Sequence, residues 1–241
     1  MPIAYAIEDL EQGWSPKCES APSPSDDEWG VIKTSAVMPM EYIQHENKRL
    51  PDSLDPRPQF ELRANDVLIT RAGPRSRAAI ACLVRETRPK LMVCDKVYRI
   101  RCAESVVMPA YLEIVLNAPQ CVTVLDEMKT GISDSGVNLT QTKFRELLVP
   151  IPSLEEQSEI VQRVEELLAC EPRVEAALAS SEAELTQLDQ SILAKAFRGE
   201  LIPQDSGDEP ASQLLHRIRT TREKLEAEKK ASKKKRAKKS K

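Results

Sequence analysis

Residues 154–197 read LEEQSEIVQRVEELLACEPRVEAALASSEAELTQLDQSILAKAF. Taken in alternating fours and threes from Ile160, the positions are Ile160, Val164, Leu167, Glu171, Val174, Leu178, Ser181, Leu185, Leu188, Ile192 and Lys195, and eight of these eleven are apolar. Apolar residues held in one heptad phase over five repeats predict a helix that packs lengthwise against another helix. At about 1.5 Å per residue it is a rod roughly 60 Å long, a spacer by its dimensions. The expected helix-partner interface is Ile160, Val164, Leu167, Val174, Leu178, Leu185, Leu188 and Ile192. Ser153 can cap the start, with Glu156 three residues on as in a capping box. Gly199, followed by Pro203, ends the helix near Arg198. Pro172 disagrees: inside a helix it removes a backbone hydrogen bond at a cost of roughly 3 kcal/mol, so a kink or short break is expected between residues 169 and 173.

The chain has 241 residues, enough for one compact domain plus an extended element. No apolar run approaches the length needed to cross a bilayer, and the N-terminus has no basic start followed by an apolar segment; a soluble, cytoplasmic protein is expected. Six cysteines, at positions 18, 82, 94, 102, 121 and 170, include no CxxC pair, and His45 and His216 are the two histidines. No metal site is expected, and the cysteines read as buried thiols in a reducing compartment.

Charge is distributed unevenly. Residues 151–204 have 4 basic and 11 acidic groups, while residues 205–241 have 13 and 6 and residues 48–101 have 13 and 6. Local basic blocks of this kind are compatible with nucleic-acid binding even in a chain whose net charge is −3.

Upstream of the rod the pattern changes. Residues 13–30, GWSPKCESAPSPSDDEWG, are too rich in Pro, Ser, Gly and Asp for regular structure and form a long loop, often a functional feature inside a compact domain. VIKTSAV (31–37), VLIT (67–70, after the turn dipeptide Asn65-Asp66), AAIACLVR (78–85) and LMVCDKVYRI (91–100) read as strands. PAYLEIVLN (109–117) opens on Pro and has helical apolar spacing, residues 122–128 are helical, and residues 140–147 form a short helix with Thr140 or Thr142 as cap. After a polar linker, residues 211–228 read as a shorter helix. The last thirteen residues, nine of them basic, read as disordered.

No GxGxxG, GxxxxGK[ST], HExxH or GxSxG motif is present, so neither nucleotide binding nor hydrolytic catalysis has an assembled signature. What remains is a set of cationic and short polar side chains at loops and strand ends: Lys33, Thr34 and Ser35; Asn47 and Lys48; Arg71, Arg75 and Arg77 around Gly73-Pro74; and Lys96 and Arg99. Guanidinium and ammonium groups suit phosphates and guanine edges, so these ten are the candidate DNA-binding residues. The competing reading of each is an ordinary solvated charge.

LVPIPSLEEQSEIVQRVEELL resembles the segment that closes a target-recognition domain in specificity subunits of Type I restriction-modification enzymes. There a P-x-P, an E-Q pair and an I-V open a long helix, and Pro150, Pro152, Glu156, Gln157, Ile160 and Val161 match. ILAKAFRGELIPQDSGDEPASQLLHRIR resembles that family's C-terminus, and GWSPKC, EWGVIKTSAV, ENKRLP and DVLITRAG resemble its recognition domain. The resemblance implies a non-catalytic, DNA-reading subunit. Its helices space two recognition domains on a split target and dock the DNA methyltransferase subunit, which binds S-adenosylmethionine, and the endonuclease/translocase subunit. Family members carry two recognition domains and two helical regions; this chain has one of each. That implies either a half-subunit that pairs with its own copy or the C-terminal half of a longer protein.

The fold expected is therefore α+β: a mostly-β target-recognition domain over residues 1–152, a coiled-coil spacer over 153–199 with a possible kink at Pro172, a linker and short helix over 200–228, and a disordered basic tail over 229–241. The alternative function is a coiled-coil scaffold whose globular domain binds protein.

Overall fold

The chain divides into two units, Met1–Cys170 and Glu171–Lys241. A computed structural model describes residues 1–131, 133–202, 207 and 209–239, and all of their side chains except those of residues 171 and 230–239. The first unit has strands β1 (Ile7–Gln12), β2 (Gly30–Ile32), β3 (Val37–Met38), β4 (Glu41–Tyr42), β5 (Asn47–Arg49), β6 (Val67–Thr70), β7 (Ala72–Gly73), β8 (Ala81–Leu83), β9 (Leu91–Met92), β10 (Val97–Cys102) and β11 (Val137–Asn138). Its helices are α1 (Pro109–Asn117), α2 (Pro119–Met128), α3 (Gln141–Arg145) and α4 (Leu154–Leu168). Strands and helices occur together as an α+β fold.

An antiparallel sheet in the order β1-β10-β6-β8 divides the unit into two cores. Successive side chains of a strand point to opposite faces, and the sequence obeys this. Val67 and Ile69, Ala81 and Leu83, and Tyr98, Ile100 and Cys102 enter the core shared with α1, α2 and α3. Leu68, Cys82 and Val97 enter the other, shared with β2 and β9. A second sheet, β5-β2-β9, pairs β2 antiparallel to β5 and parallel to β9. Both faces of β6 are thus covered, which is why VLIT has no polar alternation. Asn65, at φ +71°, makes the left-handed turn into it, a conformation that Asn tolerates better than most residues.

Several strands are shorter than their apolar runs. Residues 91–100 form two strands, because the chain turns at Asp95 and Lys96 between β9 and β10. β2 ends at Ile32, and Thr34–Ala36 is a turn of 3-10 helix. α1 spans the expected nine residues, with Pro109 in its first turn. α3 is capped by the Thr140 hydroxyl, which accepts from Lys143 N–H at 3.4 Å.

The rod begins as part of the domain. Ser153 Oγ accepts the Glu156 N–H at 3.3 Å and caps α4. One turn in, Gln157 is fully buried. Its Oε1 accepts the Met108 N–H at 2.8 Å. Its Nε2 donates to the carbonyls of Val106 and Pro152, each at 2.9 Å. Tyr111 OH donates to the Pro150 carbonyl at 3.1 Å. Val161 is buried and Ile160 packs against the same core. Ile160 therefore serves the domain core rather than an external partner, and the first unit runs to Cys170, past the boundary expected at Ser153.

In the second unit, α5 (Glu171–Arg198) starts afresh after a break at Ala169 and Cys170. Pro172 is its second residue. A first-turn N–H has no intrahelical partner in any case, so proline there costs no hydrogen bond. Gly199, at φ +69°, ends the helix. Its N–H reaches Ala196 O at 3.0 Å and the Glu200 N–H reaches Lys195 O at 2.9 Å, a Schellman closure that requires the left-handed residue. α6 (Ala211–Lys239) is longer than expected. It continues beyond Glu228 through the lysine-rich stretch read as disordered, since Lys, Arg and Ala all have high helix propensity. Residues 203–206 and 208 of the expected linker, and 240–241 of the expected tail, lie outside the described residues.

Among the described residues no helix is long and apolar enough to cross a membrane. Cys82, Cys94, Cys102 and Cys121 are buried free thiols, Cys18 is half-buried and Cys170 is exposed. Burial pushes the thiols of Cys94 and Cys121 up to about 11 and that of Cys102 to about 12.

Replacing Gln157 by Leu strands one donor and two acceptors in the core. At about 1–3 kcal/mol per unsatisfied buried group, with partial rescue by water, a loss of about 2–4 kcal/mol is expected from urea unfolding midpoints. Gln157→Glu, which sets a carboxylate oxygen against two carbonyls, is expected to cost at least as much; wild-type midpoints for both variants would refute the anchor.

Candidate nucleic-acid interface

Three segments meet at an open groove of about 360 Å³ on the first unit: the loop after β1, the end of β2 with the facing strand β5, and the turn between β9 and β10. Ser15, Pro16 and Cys18 line one wall, Lys33, Thr34 and Lys48 another, and Asp95 and Lys96 the third. Lys48 sits opposite Val31 in the β2–β5 pair. Val31, Ile32 and Cys94 form the apolar floor.

The loop wall is held by backbone contact. Trp14 N–H donates to Val93 O at 3.0 Å. A Cβ on Gly13 would lie 2.1 Å from that same oxygen, so any other residue would force the loop away from β9. Ser15 Oγ donates to Asp95 Oδ1 at 2.5 Å, and Asp95 N–H returns a bond to Ser15 Oγ at 3.1 Å. The Arg57 guanidinium stacks 4.2 Å over the Trp14 ring, a cation–π contact beside the groove.

Lys33, Thr34, Lys48 and Lys96 are brought together here. Lys48 and Lys96 are exposed, and among the described residues neither has an ion-pair partner. Lys33 Nζ lies 3.3 Å from Glu46 Oε2, an oxygen that also accepts from Ser35 Oγ at 2.5 Å. Those two hydrogen bonds, Ser35 first, hold the Glu46 carboxyl below its usual range. Ser35 is thus turned toward Glu46 and does not line the groove.

The remaining candidates are structural. Asn47 is buried: its Oδ1 accepts Ser23 N–H and its Nδ2 donates to Gln44 O, both at 2.8 Å. Arg99 is 1% exposed. Its Nη1 donates to Gln59 O at 2.8 Å and Glu61 O at 3.0 Å, and its Nη2 pairs with Asp9 and Glu11. Arg77 donates to the carbonyls of Thr34 at 2.9 Å and Val37 at 3.2 Å. Arg75 is paired with Asp126 at 2.8 Å and Asp134 at 3.0 Å. Arg71 donates to Tyr98 OH at 3.2 Å and Asp95 O at 2.9 Å. The arginines around Gly73-Pro74 hold the loop together and do not form a cationic surface. Asn47 and Arg99 are corrected outright, because both side chains are buried and bonded within the domain, out of reach of DNA, even though Arg99 Nε has no hydrogen-bond partner.

Sequence reasoning missed Gly13, Ser15 and Asp95. The loop containing Gly13 and Ser15 is visible as a composition shift. Asp95 is hidden inside an apparently continuous strand. Among the described residues, no group of three or more His, Cys, Asp or Glu side chains could hold a metal ion.

The seam residues fall on both units. Val164 is half-buried, whereas Leu167 is 72% exposed. On α5, Val174, Leu178, Leu185, Leu188 and Ile192 are between 44% and 64% exposed.

No protein-family model matches the chain. It is 37% identical over 186 residues, 77% of its length, to the Type I restriction enzyme EcoEI specificity subunit of Escherichia coli, covering 31% of that protein. It is 37% identical over 183 residues, 73% of its length, to the EcoBI specificity subunit of the same species, covering 37% of it. The chain therefore spans about a third of the length of these curated relatives. The crystal structure of the HsdS subunit from Thermoanaerobacter tengcongensis superposes with a TM-score of 0.54 at 20% identity, over 83% of this chain and 45% of that one, a likeness of fold.

The division between structural and groove cations is measurable. Arg99→Ala removes a buried cation and strands two carbonyls, with an expected loss of about 2–4 kcal/mol in urea unfolding. Lys48→Ala and Lys96→Ala are expected to stay within about 0.5 kcal/mol of wild type. Equal losses for all three would contradict the assignment.

Proposed function

We propose that this chain, which matches about a third of the length of Type I restriction enzyme specificity subunits, is a member of that family and a non-catalytic DNA-reading element whose Met1–Cys170 unit binds duplex DNA in the Lys33–Lys48–Lys96 groove. The observation that carries the reading is the convergence of three lysines from separate segments on one concave surface. Ammonium groups on such a wall meet phosphates and set register; the hydroxyls of Thr34 and Ser15 and the Asp95 carboxylate are the groups able to read base edges, a carboxylate accepting from cytosine N4.

The exposed apolar seam of α5 supports a partner helix. In the proposed assembly two copies pair through Val174, Leu178, Leu185, Leu188 and Ile192 and hold two recognition domains apart on a bipartite target. The methyltransferase subunit, carrying S-adenosylmethionine, and the endonuclease/translocase subunit are directed to DNA by this assembly. A coiled-coil scaffold with a protein-binding domain would share the seam but not the lysine groove, which favours the DNA reading.

Gel shifts on duplexes enriched by binding against random duplexes, with methyltransferase subunit present, are expected to show sequence preference; its absence sinks the proposal. Changing Lys33, Lys48 and Lys96 together to Ala is expected to weaken binding about tenfold or more and to make the dependence of log K on log salt shallower by about 2–3, at roughly 0.9 per phosphate contact. Unchanged affinity would place the DNA elsewhere.

Native mass measurement is expected to give a dimer, converted to monomer by Leu178→Asp with Leu185→Asp. A monomeric wild-type chain would remove the self-pairing reading and leave a different partner for the seam.

A further inference from the structure

The Met1–Cys170 unit has 19 basic and 26 acidic residues, a net −7. Over the Debye length of about 8 Å within which charges still act, that net negative surface repels a polyanion, so a groove of three lysines does not by itself draw DNA in from solution. The opposite sign is concentrated elsewhere. Lys230, Lys233, Lys234, Lys235, Arg236, Lys238 and Lys239 are seven basic residues among the ten at 230–239, and no acidic residue lies between them. The backbone is helical through this stretch, to Lys239.

A ten-residue helix rises about 15 Å, giving about one positive charge per 2 Å of axis, against one phosphate charge per about 1.7 Å of duplex DNA. Residues 230 and 234, 234 and 238, and 235 and 239 stand four apart in sequence, a spacing at which like charges oppose an isolated helix in water. Phosphates relieve that opposition. Ala231 and Ala237 are the only apolar residues of the ten. The segment thus has no stripe with which to enter a bilayer surface or join a coiled coil.

We propose that residues 230–239 form a second nucleic-acid-binding element, a basic helix that runs along the phosphates of duplex DNA without reading sequence and is itself stabilised by them. It is separate from the groove: the helix supplies attraction, and the groove supplies choice of site.

The test compares the full chain with a variant carrying Lys230→Gln, Lys233→Gln, Lys234→Gln, Lys235→Gln, Arg236→Gln, Lys238→Gln and Lys239→Gln, which keeps helix propensity and removes the charge. On a random-sequence duplex, the wild-type dependence of log K on log[NaCl] is expected to be steeper by about 4–6, with affinity at low salt at least about 30-fold higher. Circular dichroism is expected to show helix gained on adding duplex to wild type and none in the variant. The ratio of target to random affinity is expected to be the same for both. Equal salt slopes overturn the proposal, as does wild type binding phosphatidylserine vesicles more tightly than duplex. Lost sequence preference in wild type with the slope difference intact would refute the groove and spare the helix. Intact preference with equal slopes would do the reverse.

Discussion

One buried carboxamide fixes the first turn of α4 to the rest of the Met1–Cys170 unit. Gln157 directs both ends of its side chain to three backbone groups from two segments: the approach to α1 at Val106 and Met108, and the P-x-P stretch at Pro152. A hydrophobic contact could hold α4 against α1, but it would tolerate rotation about the helix axis. Three directional bonds do not. This gives the E-Q pair a physical meaning: Glu156 carries negative charge in the first turn, where the helix dipole favours it, and Gln157 locks the turn to the domain.

What the sequence made legible followed from periodicity and caps. The unbroken apolar run VLIT marked a buried strand, Pro109 and Ser153 marked helix starts, and Gly199 marked an end. These are local rules, and each residue obeys its rule whatever its neighbours are. The cationic site was less legible for the converse reason. Whether Arg75 faces DNA or Asp126 depends on α2, some fifty positions away in sequence, and whether Arg99 is a strand-surface charge or a core cation depends on Gln59 and Glu61 closing over it. Charge type is written in the sequence; the carboxylates and carbonyls that consume it arrive with the tertiary fold. The lysines survived as groove residues because a single ammonium on a flexible stem is less readily built into a loop than a planar fork with five donors.

Pro172 shows the same contrast. Read within one continuous heptad it is a defect. Once the chain has turned at Ala169 and Cys170, it occupies the position in a new helix where its missing N–H has no consequence. The seam residues then separate into two groups. Ile160, with Val161 beside it, packs into the domain core, and the seam residues from Val174 to Ile192 stay exposed on α5.

In the proposed arrangement a domain with a net charge of −7 meets DNA through a groove of three lysines, which sets a particular balance of affinity and selectivity. Few neutralised phosphates mean a small sequence-independent term, and a small background makes each correct base contact a larger share of the whole. Such a domain discriminates well but finds DNA poorly. Attraction that does not depend on sequence can be added from a separate helix without diluting that discrimination, because it strengthens target and random duplex by the same factor. The uneven charge along this chain, acidic in the reading unit and densely basic near residues 230–239, is the pattern that keeping attraction and discrimination apart requires.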